Sequence, residues 1–205
     1  MNIRKAKQQD ATILAPLVFS SAPIAFSATF DIDQKLSAIN FLQASLASAD
    51  GQYGYANHWL VEKDDCLLGC VSAWHSDLAD SFHQATLTKL IDFYGMAQAL
   101  AVVQVSLTMQ DCIPKPLQHE WCIGHFAVDE KFQRQGVGRA LLELMQKQAM
   151  IAGKHALSLD VDSSNSQALD FYMAQGFSIE SQSRVSDSML SLGIGCHFHL
   201  TKILV

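Results

Sequence analysis

Charge is scarce in this chain. Lys, Arg, Asp and Glu make up 17% of its 205 residues, with 14 basic against 20 acidic side chains and a formal net charge of −6. A nucleic-acid binder needs clustered Lys and Arg to neutralise phosphates, so this balance argues against nucleic acid as a partner. Long apolar runs are missing too. The longest, Ala97 to Leu107, is interrupted by Gln98 and Gln104 and falls short of the ~20 residues of a membrane span. The segment Met1-Asn2-Ile3-Arg4-Lys5 lacks the apolar stretch of a secretory signal. Cysteines are few and odd in number, scattered at Cys66, Cys70, Cys112, Cys122 and Cys196, which is not a secreted disulfide framework. Together these absences predict a cytoplasmic protein with no membrane partner. Internal repeats and low-complexity linkers are also lacking, so one domain over residues 1–205 is expected. What is plentiful is apolar: 49% of the residues are hydrophobic, enough for a core and too many for disorder.

The pattern along the chain is mixed α/β. Asn2 to Ala6 reads as a strand. Asp10 is placed to cap a helix running to about Phe19, shortened or bent by Pro16. Ser20 to Phe30 has no clear periodicity. Asp33 is placed to cap a helix carrying Leu36, Ile39, Leu42 and Leu46. His58 to Glu62 and Cys66 to Trp74 flank the polar turn Lys63-Asp64-Asp65 and read as a hairpin. Asp77 to Ala101 reads as one helix or two, broken near Gly95. Glu120 to Val128 is a long strand, Gly136 to Met150 a helix, Ala156 to Val161 a strand. A short helix begins at Asn165 or Ser166 and ends at Gly176. Phe177 opens another strand and Cys196 to Leu204 the last.

The chemistry is concentrated at the strand–loop–helix junction Val128-Asp129-Glu130-Lys131-Phe132-Gln133-Arg134-Gln135-Gly136-Val137-Gly138-Arg139. Two glycines two residues apart allow a tight turn and a close backbone approach to a ligand. The first amides of the helix lack intrahelical acceptors and carry the positive end of its dipole, which suits an anion. Leu141 excludes a Rossmann G-x-G-x-x-G, and no G-K-[ST] of a P-loop follows. On its own the pair of glycines is equally a plain loop–helix junction.

About thirty residues on comes Asn165-Ser166-Gln167-Ala168-Leu169-Asp170-Phe171-Tyr172-Met173-Ala174-Gln175-Gly176-Phe177. Taken together, Gln133, Gly136, Gly138, Tyr172, Gly176 and Phe177 resemble, in order and spacing, the GNAT superfamily of acyl-CoA-dependent N-acyltransferases. The resemblance is strong over residues 118 to 180 and loose before them. Residues 75 to 117 form a helical insertion longer than the family leads one to expect. The resemblance implies a single α/β domain with a mixed, mostly antiparallel twisted sheet of six or seven strands flanked by helices. It implies acetyl-CoA as cosubstrate, an amine-bearing acceptor, no metal, and a possible homodimer. The fourth strand would bulge and part from the fifth, leaving a gap for the pantetheine arm. Phe126 and Val128 would bond that arm through their backbones, and an amide near Ala127 or Val128 would meet the oxyanion. Gln133, Arg134, Gln135, Gly136, Val137, Gly138 and Arg139 would wrap the pyrophosphate. Asn165 and Phe171 would touch the coenzyme, and Tyr172 would sit near its sulfur.

Direct transfer needs a neutral amine, and a lysine-like amine of pKa about 10.4 needs a base more than an α-amine near 7.7–8.0 does. Glu120 is the candidate base. Strict alternation puts it on one strand face with Cys122, Gly124, Phe126 and Val128. Other members use the strand position held here by Cys122, or a water relay. Tyr172 is the candidate acid for the departing thiolate, since a phenol near pKa 10 can supply a proton to a thiolate near 8.5. A solvated strand-end Glu120 and a purely packing Tyr172 are the plainer alternatives. His197 and His199 with His119 or His125 lack a zinc-site spacing. Cys66 and Cys70 read as small buried residues on one face, and Cys122 as a buried thiol. Phe26, Phe30, Phe93 and Tyr94 suit either the acceptor pocket or the core. An acyl-CoA-binding sensor without catalysis is the alternative function. A nucleotide-binding protein is a weaker one.

Overall fold

Asp64 and Asp65 both adopt positive φ, +50° and +62°, the conformation a two-residue hairpin turn requires. They join β2 (His58–Lys63) to β3 (Cys66–Trp74), as the polar triplet predicts. This computed structural model describes residues 1–204. Around the hairpin a sheet of seven strands has the order β1-β2-β3-β4-β5-β7-β6. Its other members are β1 (Asn2–Lys5), β4 (Glu120–Val128), β5 (Ala156–Asp162), β6 (Ser178–Gln182) and β7 (His197–Ile203). Every neighbouring pair is antiparallel except β4 and β5. The mixed, mostly antiparallel α/β sheet expected from the sequence is therefore the one observed.

Helices cover both faces. On one lie α1 (Ala11–Ser20), α2 (Pro23–Phe30), α3 (Ala38–Leu46), α4 (Asp80–Tyr94) and α5 (Met96–Thr108). Their apolar residues, including Leu14, Val18, Phe41 and Leu42, pack on Leu60, Cys70 and Ala127 of the sheet. On the other lie α6 (Val137–Ile151) and α7 (Ser166–Ala174), with Leu141, Met145 and Tyr172 against Ile123, Leu157 and Leu200. Gly95, at φ +77°, separates α4 from α5. Tyr94 donates to the Phe30 carbonyl at 2.7 Å, tying the helices of residues 80–108 to α2. A short helix, α8 (Asp187–Ser191), has no counterpart in the sequence reading. Its Met189 packs with Met109, Cys112 and Ile194.

Several local expectations are corrected. Ser20 to Phe30 contains a helix, because Pro23 occupies its first turn, where a missing N–H costs nothing. Asp10 does not cap α1. Its carboxylate is held by Arg4 at 2.7 and 2.9 Å and by the Lys7 amide at 2.7 Å. Asp33 caps only a turn. The cap of α3 is Ser37, and Asp31 accepts from the Ala38 amide. Cys66 is exposed while Cys70 is buried. A register shift between Val61 and Glu62 breaks the alternation that was to place them on one face. Phe26, Phe30 and Tyr94 belong to the core, and Phe93 packs against it.

Candidate functional site

The site is built where β4 and β5 stop pairing. Glu120, Trp121 and Cys122 pair with Ala156, Leu157 and Ser158, and no later residue of β4 pairs with β5. The expected parting of the two strands is present. Its cause lies on the other side of β4. There the register with β3 shifts between Cys70 and Ser72, opposite Ala127 and Gly124. The extra residue is taken up at His125, with φ +46°, a bulge that bends the strand.

This bulge overturns the strict alternation expected along β4. Glu120, Cys122 and Gly124 share a face, but Phe126 and Val128 do not join them. Phe126 and Val128 pack with the α6–α7 cluster, whereas Ala127 lies in the cluster of α1 to α5. The Asp129 amide bonds Leu68 of β3, so by alternation the Val128 backbone groups point away from β3, into the gap. The Val128 carbonyl receives Gln133 Nε2 at 3.4 Å, and Gln133 Oε1 accepts from Gln167 at 3.1 Å. Gln133 thus ties the loop to α7.

The loop that follows turns on two left-handed residues, Arg134 at φ +58° and Gly136 at φ +84°. Gly136 is the N-cap of α6, so no side chain closes the first turn of that helix. A Cβ at Gly136 would meet nothing within 4 Å, so glycine is needed there for φ alone. At Gly138 a Cβ would stand 3.0 Å from Phe171 Cζ and 3.6 Å from Phe126 Cζ. Here glycine is needed for space, and it brings the helix backbone close to these two rings. Gln135 bonds the Lys131 carbonyl. Arg139 is exposed and pairs with Glu143 at 3.0 Å. Val137 is buried. Asn165 caps α7 by accepting from the Ala168 amide at 3.1 Å.

Tyr172 is buried, with its ring centroid 5.8 Å from Phe126, 5.2 Å from Phe171 and 5.5 Å from Phe177. Burial pushes its phenol well above the ordinary value, so the hydroxyl keeps its proton. On the opposite face Glu120 is 2% exposed and is no solvated strand end. One oxygen accepts from the Leu117 amide at 2.8 Å and the other is 3.5 Å from His199 Nε2. His199 Nδ1 bonds Asp160 at 2.9 Å. The sequence reading missed this link because the three residues come from three strands. Asp160 is raised by burial, and His199 is raised chiefly by its bond to Asp160. Cys122 is buried and its thiol pushed up by desolvation, against a nucleophilic role. His197 and His199 line a cleft of about 580 Å³ whose other walls include Pro114 and residues 181–186. Among the described residues no group of three or more His, Cys, Asp or Glu is arranged to hold a metal ion.

A second buried polar group lies at the bulge. His58 Nδ1 faces the Gly54 carbonyl at 2.9 Å, so it carries the proton and Nε2 accepts. His125 Nδ1, 3.0 Å from that Nε2 and 2.9 Å from Ser72 Oγ, is then the donor. Desolvation holds His58 down at about 4 and His125 well below its ordinary value.

With this geometry in hand, the comparison with known proteins is direct. The acetyltransferase (GNAT) family model matches residues 27–177. The chain belongs to this family. Within the GNAT family, a ribosomal-protein alanine N-acetyltransferase of Escherichia coli (strain K12) is 36% identical over 83 residues. That match covers 40% of this chain, which spans about half (49%) of the length of that relative. A crystal structure of an acetyltransferase superposes with a TM-score of 0.72 at 22% identity, covering 100% of both chains. The structure of yncA from Salmonella typhimurium with its cofactor acetyl-CoA gives 0.55 at 15% identity over 100% of this chain and 94% of that one. These two likenesses concern the fold.

Proposed function

We propose that this GNAT-family chain moves an acetyl group from acetyl-CoA to a primary amine by direct attack in a ternary complex. The observation that carries the reading is the parted β4–β5 pair beside a helix whose N-cap is glycine. The residues present fit the coenzyme. The bare first turn of α6 offers unpaired amides to a diphosphate. Gly138 leaves room beside Phe126 and Phe171, and the Val128 N–H points into the gap, where it can bond an extended arm. The yncA structure, which holds acetyl-CoA, shares this fold.

Bound acetyl-CoA supplies an acetyl group already activated as a thioester. The chain's own residues do the rest. Residues 133–139 grip the diphosphate, mainly through backbone, with Arg134 adding charge. Asn165 and Phe171 hold the coenzyme from α7. An amide near Ala127 or Val128 faces the developing oxyanion. Tyr172, protonated because it is buried, donates its proton to the departing sulfur. On the acceptor side, the ammonium proton passes into the buried group of Glu120, His199 and Asp160. The cleft beside His197 and His199 admits the acceptor.

The test is a thiol-release screen over small amines, polyamines, amino acids and peptides with a free N-terminus, alongside thermal shifts with acetyl-CoA, ATP and NAD. Turnover together with a raised melting point in acetyl-CoA is the expected result. A shift with ATP or NAD and none with acetyl-CoA would overturn the reading. A shift with acetyl-CoA but no turnover across the panel would point to a sensor instead.

A further inference from the structure

One carboxylate in the polar face is placed differently from the others. Asp160 lies on β5 two residues past Ser158, the last residue of that strand paired with β4. Alternation gives it the same face as Ser158, so it stands at the point where the gap opens. Its side chain is 4% exposed. Oδ1 is bonded by His199 Nδ1 at 2.9 Å. Oδ2 is buried with no hydrogen-bond partner among the described residues. A buried carboxylate oxygen left unpaired is costly, and such groups mark places where a partner arrives. Glu120 is placed the other way. It sits at the closed end of the β4–β5 pairing, with Oε2 taken by the Leu117 amide and Oε1 facing His199. The line Glu120–His199–Asp160 is thus closed at its Glu120 end and incomplete at its Asp160 end. His199 borders the cleft.

We propose that Asp160 Oδ2 is the atom that takes the proton from the acceptor's ammonium, with His199 as the positioning residue that orients Asp160 and Glu120 as the anchor of His199. The inference rests on the acyl-transfer reading and names the base within it. In the step, an N–H bond of the ammonium breaks and leaves its electron pair on nitrogen, and an O–H bond forms on Oδ2. The neutral nitrogen is then the nucleophile, and the proton later leaves Oδ2 for water in the cleft. His199 bonds Oδ1 and so leaves Oδ2 for this task. As an imidazolium it also favours the ionised carboxylate, opposing the burial that raises Asp160. The other titratable groups around Asp160 are Cys122 and Glu120 on β4 and His197 on β7, while Arg184 lines the same cleft. Ser158 on β5, and Ser181 of β6 opposite His199, are uncharged.

The experiment uses thiol release from acetyl-CoA with the best acceptor found for the wild type among spermidine, free amino acids and a peptide with a free α-amine. Asp160→Asn is expected to lower kcat about 100-fold, the range of lost acid–base catalysis, while the thermal shift in acetyl-CoA is kept. His199→Ala is expected to move the acid limb of kcat/KM upward by about one pH unit, because Asp160 loses its cationic partner. His199→Asn, which keeps a neutral donor for Oδ1, should recover kcat at high pH and leave the limb displaced. Glu120→Gln should stay within about tenfold of wild type. An Asp160→Asn variant within threefold of wild type, or an unmoved acid limb in His199→Ala, would overturn the inference and leave acyl transfer standing. A wild type that neither binds acetyl-CoA nor turns over any acceptor would sink the function, and this inference with it.

Discussion

Tyr172 is the residue where packing and the proposed chemistry meet. Its ring closes α7 against the sheet among Phe126, Phe171 and Phe177, and its hydroxyl makes no hydrogen bond within the protein among the described residues. Removing the hydroxyl should therefore spare the fold and the coenzyme grip. Tyr172→Phe is expected to lower kcat more than about tenfold, with acetyl-CoA affinity within a few-fold. Full activity in steady-state kinetics would remove Tyr172 from the reaction. Tyr94 is the opposite case, a hydroxyl with a structural partner. Its bond to the Phe30 carbonyl is buried, and losing it orphans that carbonyl. Tyr94→Phe should cost about 1–3 kcal/mol in urea unfolding, with kcat unaffected. A loss below a few tenths would mean that water replaces the bond.

At the scale of the element, the junction between β4 and α6 uses its two glycines for different reasons. Gly136 supplies a left-handed N-cap in open space, and Gly138 supplies clearance from Phe171. Gly136→Ala should cost about 1–2 kcal/mol of backbone strain, independent of any neighbour. Gly138→Ala should cost about 1–3 kcal/mol by overpacking, and Phe171→Leu should relieve part of it. A double-mutant cycle reads the difference: coupling is expected for Gly138 with Phe171 and none for Gly136 with Phe171. Additive losses for the first pair would show that the ring moves aside freely. The β4 bulge is the other element-scale device. By placing an extra residue at His125 it turns Phe126 and Val128 toward α6 and α7, while Glu120 and Cys122 remain on the opposite face. In the proposed function one strand thereby serves both the coenzyme and the acceptor.

For the whole molecule, the consequence is a dependence of stability on pH. His58 is held at about 4 and His125 well below its ordinary value, because both are desolvated in the folded state. In the unfolded chain each returns to about 6.5. Below that value the unfolded state binds more protons than the folded one, so stability is full above about 6.5 and is lost as pH falls toward 4. Asp160 and His199, both raised in the fold, act in the opposite sense. Each proton that the unfolded chain binds in excess of the folded one costs up to about 1.4 kcal/mol per pH unit. The urea midpoint should fall between pH 6.5 and 5. A flat profile would mean that the two imidazoles are not buried as neutral rings.

The sequence by itself determined the segments whose information is local. The hairpin turn, the limits of β4, the glycines of the α6 junction, the start of α7 at Asn165 or Ser166 and the order of elements from residue 118 to 180 are all legible, because turn chemistry and period act over a few residues. The family resemblance lay in the same stretch for the same reason. Tertiary structure alone decided what depends on pairing. The bulge at His125 arises from register with β3, and no window of sequence carries that register. The meeting of Glu120, Asp160 and His199 joins β4, β5 and β7 across about eighty residues of chain. Each of the three looks ordinary in its own strand, and only sheet order brings them together. Helix α2 was hidden similarly: it is apolar around its circumference, so it shows no periodic stripe, and packing between α1, α3 and α5 is what makes it a helix.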